Sequence, residues 1–115
     1  MTDPSSSILL IFPGQGSQYP GIGKDLFQAF ESTRKVYGEA SEVLGYDMTT
    51  LSFDDPQQQI HLTRYTQPVL LTHSVACWQA FTEMTGGRVS AQAAGGHSLG
   101  EYSALVAAGV LEFAV

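Results

Sequence analysis

The sequence has 115 residues, room for one domain at most. Its 43% apolar and 14% charged residues fit a globular core with little charged surface, and a net charge of −6 argues against nucleic acid or an anionic membrane as partner. The single cysteine, Cys77, excludes an internal disulfide, and no stretch is apolar and long enough for a signal core or a membrane span, so a cytoplasmic protein is expected.

Residues 1–7 are polar and read as a flexible N-terminus, with one structural unit over 8–115. The run Ile8-Leu9-Leu10-Ile11-Phe12, ended by Pro13-Gly14, predicts a strand buried on both faces, as in a parallel sheet. Pro13-Gly14-Gln15-Gly16-Ser17-Gln18 predicts either a tight strand-to-helix turn or a loop whose glycines, Gly14 and Gly16, let backbone amides come close to a ligand. A dinucleotide fingerprint would need glycine at position 19, where Tyr19 stands, so no cofactor is expected. A helix over 23–30 carries Leu26, Phe27 and Phe30 on one side. A second over 32–44, separate or continuous with it, carries Val36, Tyr37, Ala40, Val43 and Leu44 and stops at Gly45.

A polar connection over 47–52 turns Met48 and Leu51 inward, and Asp54-Asp55-Pro56 predicts the start of a short helix with carboxylates at its positive end. No third ligand stands near this acidic pair, so capping is expected and no metal. After a connection over 62–66, Gln67-Pro68 predicts the opening of a long helix to about Met84. Val69, Leu70, Leu71, Val75, Cys77, Trp78, Ala80 and Phe81 cover nearly all its faces, which places it inside a domain. Residues 89–95 are a poor strand by propensity, with Ala91, Ala93, Ala94 and Gly95; they are assigned as a strand because the motif that follows requires one. A helix over 99–108 stops at Gly109, and 110–115 begins another.

That motif is Gly96-His97-Ser98-Leu99-Gly100, which fits G-x-S-x-G, the nucleophile elbow. In an elbow the chain leaves a strand, turns sharply at the serine and enters a helix. The residues two before and two after must be small, and Gly96 and Gly100 are. The turn exposes the Ser98 hydroxyl to a substrate carbonyl, and the Leu99 amide, at the positive end of the helix, can stabilise a tetrahedral oxyanion. Ser98-Leu99-Gly100-Glu101 also fits the capping box S-x-x-E, in which Ser98 would only cap the helix.

An attacking serine needs a base. His97 adjoins Ser98 on a tight turn, where neighbouring side chains diverge, so a packing or supporting role is expected. His61 reads as a solvated residue on a short polar helix, and His73 as a satisfied core histidine in the long helix. None is expected to be the base, and no histidine follows Ser98.

Three motifs in order and spacing, Phe12-Pro13-Gly14-Gln15-Gly16-Ser17-Gln18, Thr66-Gln67-Pro68 and Gly96-His97-Ser98-Leu99-Gly100-Glu101-Tyr102-Ser103-Ala104-Leu105, resemble the malonyl-CoA:acyl carrier protein transacylases. The resemblance runs from Ile8 to Val115. The same motifs occur in acyltransferase domains of polyketide and animal-type fatty acid synthases; a methionine shortly before the first strand favours the free-standing bacterial type. The resemblance implies a partial α/β-hydrolase-like large subdomain with a parallel sheet core, without the family's ferredoxin-like small subdomain. It implies Ser98 as the nucleophile that takes malonyl from coenzyme A, the Gln15 and Leu99 amides as oxyanion hole, Gln67 lining the acyl pocket, and His97 flanking the serine. Malonyl-CoA and acyl carrier protein are the implied partners, and the full-length protein is expected to be a monomer. The family's base histidine and its carboxylate-binding arginine match no position here, and Arg64 and Arg88 precede the elbow. These residues are therefore expected to be an N-terminal portion that is inactive alone. Gly95 stands where the family usually has alanine.

Overall fold

The apolar run at the start of the chain forms strand β1, Leu9–Phe12, and the alanine-glycine stretch before the elbow motif forms strand β2, Ala93–Gly96. They pair in parallel, Leu9 with Ala93 and Phe12 with Gly96. The computed structural model describes residues 9–86, 93–96, 100–107 and 113. The expected flexible segment 1–7, the first part of the second strand and all but Phe113 of the helix expected over 110–115 lie outside them; Phe113 packs, half-buried, against the core.

Parallel strands need a crossover, and here it is mostly helical. Helix α1, Lys24–Ala29, is separated from α2, Glu31–Leu44, by Phe30, whose backbone is extended (φ −128°, ψ 129°). The Thr33 hydroxyl, fully buried, fixes this break by donating to the carbonyls of Leu26 (2.8 Å) and Phe30 (2.6 Å). On α2 the stripe Val36, Tyr37 and Ala40 is buried as expected. Val43 and Leu44, at its C-terminal end, are exposed instead. Phe27, Tyr37 and Phe53 form an aromatic cluster with ring centroids 5.3–5.8 Å apart.

Met48 and Leu51 point inward as read, but Leu51 sits within a wide π-helical turn, Thr50–Asp54. Asp55 therefore follows a helical turn and does not start one. Its carboxylate accepts from the amides of Gln59 (2.7 Å) and Ile60 (3.2 Å), capping a loop rather than a helix. Asp47, by contrast, stands at the start of a helical turn, and hydrogen bonds from Thr49 and Thr50 hold its carboxyl below the usual range.

Helix α3, Thr63–Thr85, is the central element and starts four residues earlier than the Gln67-Pro68 reading placed it. Proline removes one helical hydrogen bond and disfavours helical backbone before it. Two features offset this. The carbonyl left free is that of exposed Arg64 in the first turn, and the buried Thr66 hydroxyl donates to the carbonyls of Ile60 (2.5 Å) and Leu62 (2.9 Å), locking the entry. Val69, Leu70, Val75 and Ala76 of α3 join Ile22, Val36, Tyr37, Met48, Leu51 and Ile60 in one core, each large side chain contributing about 1.5–3 kcal/mol by burial. No helix among the described residues is long and apolar enough to cross a membrane.

On the sheet lies α4, Gly100–Ala107, which packs on both strands and against α3. Phe12 is buried, but Ile11 on the opposite face is 75% exposed, against the expectation of a strand buried on both faces. Among the described residues the sheet has two strands, and they leave this side chain open.

Candidate active site

Parallel pairing sends the chain out of both strands at the same edge, where ligands of α/β folds bind. Because Phe12 lies opposite Gly96, the loop of residues 13–18 starts beside the elbow motif. Gly96 is the last residue of β2 and Gly100 the first of α4, so three residues, 97–99, join strand to helix. Those three, His97, Ser98 and Leu99, lie outside the described residues.

The two glycines bracketing them are described, and Gly100 is informative. It is buried at the start of α4, and a β-carbon there would overlap the carbonyl oxygen of Phe12, 2.8 Å from the carbonyl carbon and 3.0 Å from the Pro13 oxygen. The helix can sit on the exit of β1 only because residue 100 has no side chain. The first loop and the elbow helix are thus in backbone contact.

The loop itself is exposed from Gln15 to Ser17, while Gly14 is buried. Gly16 has φ +111°, a conformation open to glycine and strained for any other residue. Gln15 reaches across 48 residues of sequence: its Nε2 donates to Thr63 Oγ1 at 3.1 Å. Gln67 is exposed one helical turn after Thr63 and so occupies the same face of α3. The structure therefore brings Gln15 and Gln67 to one stretch of α3, through a residue the sequence reading placed in a connection. Gln18 and His61 were also missed. Gln18 Oε1 accepts from the Gly16 amide and its Nε2 lies 2.8 Å from His61 Nδ1, so His61 is exposed but engaged. Starting α3 at Thr63 would have exposed the Thr63–Gln67 relation.

His73 is not the fully satisfied core residue expected. Its Nε2 lies 3.4 Å from Cys77 Sγ, but its Nδ1 is buried without a hydrogen-bond partner among the described residues. With Cys77 and Trp78 it lines a hollow of about 310 Å³ against Ile11, Phe12 and Pro13. Burial raises the pKa of the Cys77 thiol and lowers that of His73 below its ordinary 6.5, with the Asp25 charge opposing weakly at His73. Burial likewise raises that of Tyr37. The unfolded chain then binds a proton on His73 that the folded chain refuses, so stability falls as pH drops through 6.5 and levels off below the folded value. Thermal unfolding between pH 7 and 5 should show the wild type losing up to about 1.4 kcal/mol per pH unit more than the H73Q variant. Parallel curves would contradict this.

The family model for the acyl transferase domain matches residues 9–114. The malonyl CoA-acyl carrier protein transacylase of Escherichia coli is 46% identical over 104 residues, covering 90% of this chain and 33% of that protein. Among solved structures, an acyl carrier protein S-malonyltransferase from Vibrio cholerae superposes with TM-score 0.88 at 45% identity, over 95% of this chain and 35% of that one. A malonyl-transacylase in complex with its type II PKS acyl carrier protein gives TM-score 0.86 at 46% identity, over 95% and 35%. The chain spans about a third of the length of these relatives. Over that third it is a helix-rich α/β arrangement with a small parallel sheet, and by sequence and fold it belongs to the acyl transferase domain family.

Proposed function

We propose that the chain supplies the nucleophile-bearing third of a malonyl-CoA:acyl carrier protein transacylase of fatty acid biosynthesis, acting in the cytoplasm as a monomer. In this reading residues 8–115 belong to an α/β-hydrolase-like large subdomain, preceded by a flexible 1–7. The observation that supports it is the backbone contact between Gly100 and the exit of β1, which, with the pairing of Phe12 and Gly96, puts the two outer glycines of G-x-S-x-G beside the start of the Gln15 loop.

Chemically, Ser98 Oγ attacks the malonyl thioester carbonyl and loses its proton to a base from outside these residues. The amides of Gln15 and Leu99 hold the oxyanion, and the carbon–sulfur bond breaks to release coenzyme A. The acyl-serine then passes malonyl to the carrier protein. Gln67 lines the acyl pocket from α3, and His97 flanks the serine. The arginine that pairs with the malonyl carboxylate also comes from outside these residues; a bidentate guanidinium there selects malonyl over acetyl.

The test is intact mass after incubation with malonyl-CoA. The full-length enzyme should gain one malonyl group, mapped to Ser98 by peptide analysis and lost on adding acyl carrier protein. Residues 1–115 alone should gain little. No adduct on the full-length enzyme would refute the proposal. Comparing carrier proteins from fatty acid and polyketide systems as acceptors would separate the two pathways.

A further inference from the structure

The loop of residues 13–18 has little packing to hold it. Gln15, Gly16 and Ser17 are all exposed, and Gly16 at φ +111° is a natural hinge. What fixes it is polar and distant in sequence. Gln15 Nε2 donates to Thr63 Oγ1 at 3.1 Å, at the first residue of α3. Gln18 bridges the loop to the turn before α3. Its Oε1 accepts from the Gly16 amide at 2.8 Å, and its Nε2 lies 2.8 Å from His61 Nδ1. A carboxamide nitrogen can only donate, so His61 Nδ1 must accept and the imidazole proton must sit on Nε2. Both tethers act just after the Gly14–Gln15 peptide, which carries the Gln15 N–H: one starts from the Gln15 side chain and the other holds the Gly16 amide. The turn they grip is itself anchored, through the Ile60 amide on Asp55 and the Ile60 carbonyl under Thr66.

We infer that Gln18 and His61, with Thr63, are positioning residues: they clamp the Gln15 loop to the start of α3 so that its amide is aimed for acyl transfer. The inference rests on the oxyanion role proposed above for that loop. An oxyanion donor must lie within about 0.2 Å of 2.9 Å from the developing charge, so a loop that swings on Gly16 loses rate without losing substrate affinity.

The experiment is single-turnover acylation of the full-length enzyme by malonyl-CoA, rapidly quenched and read by intact mass across substrate concentrations. H61A should lower the maximal rate per folded molecule about 3- to 10-fold, the effect of one hydrogen bond, with the half-saturating concentration unchanged. Q18A, which removes both ends of the bridge, should lower it about 10-fold or more. H61N keeps an acceptor near the position of Nδ1 and should return the rate to within about twofold of wild type. Melting temperatures of the variants should match the wild type, because the loop is exposed; a merely structural role would lower them and leave the folded molecules acylating at full rate. Wild-type acylation in H61A and Q18A, or H61N as slow as H61A, would overturn the clamp. A wild-type enzyme that is never acylated would instead overturn the transacylase reading beneath it.

Discussion

Alanine at position 98 should abolish the malonyl adduct and lower transfer to acyl carrier protein by about 10⁴-fold or more, while leaving the melting temperature of the full-length enzyme nearly unchanged. The contrast matters because the sequence around Ser98 supports two roles. As a helix cap, the hydroxyl would satisfy one amide of α4, and its loss would cost about 1 kcal/mol of stability with transfer intact. As a nucleophile, it stores the acyl group between two half-reactions. Stability and activity thus move in opposite patterns under the two roles. Measuring both on one S98A preparation decides between them: a destabilised but active variant would refute covalent catalysis at this residue.

Why this much could be read from the residues, and no more, follows from the range of the forces involved. β1 was legible because five consecutive apolar residues ended by Pro13-Gly14 have few alternatives. β2 was not legible from propensity, since Ala93, Ala94, Gly95 and Gly96 favour no strand; it was reached through the chemistry of the motif after it. The start of α3 was misplaced because the local rule for residues before proline pointed to an extended segment. That rule was overridden by the Thr66 hydroxyl bonds to Ile60 and Leu62 and by the exposure of the orphaned Arg64 carbonyl. In the site, the glycine pattern and Gln67 were visible as motifs. The partners that hold the loop were not, because the contacts Gln15–Thr63 and Gln18–His61 span 48 and 43 residues and follow no local period. The open face of Ile11 and the exposed end of α2 at Val43 and Leu44 have the same origin: patterning tells which side of an element is apolar, but not whether a neighbour covers it.

The glycine at position 100 permits a sharper test of the same geometry. In G100A the new methyl group would overlap the carbonyl oxygen of Phe12, and the Pro13 oxygen would lie 3.0 Å away. These are backbone atoms of a strand end that is paired with Gly96, so they cannot turn aside as a flexible side chain would. The first turn of α4 must lift away from β1, or the exit of β1 must move. Overpacking of this kind costs about 1–3 kcal/mol. A displacement of about 1 Å between the two elements proposed to supply the oxyanion amides should lower acylation by about 100-fold. Gly95 provides the matched control, five residues earlier and also in contact with the sheet. A β-carbon there meets nothing within 4 Å and its backbone is ordinary, so G95A should fold and acylate like the wild type. Two glycine-to-alanine changes of equal chemistry then differ only in what the methyl group touches. Equal activity in both would mean that α4 does not rest on the exit of β1, and the pairing of Ser98 with the Gln15 loop would lose its structural basis.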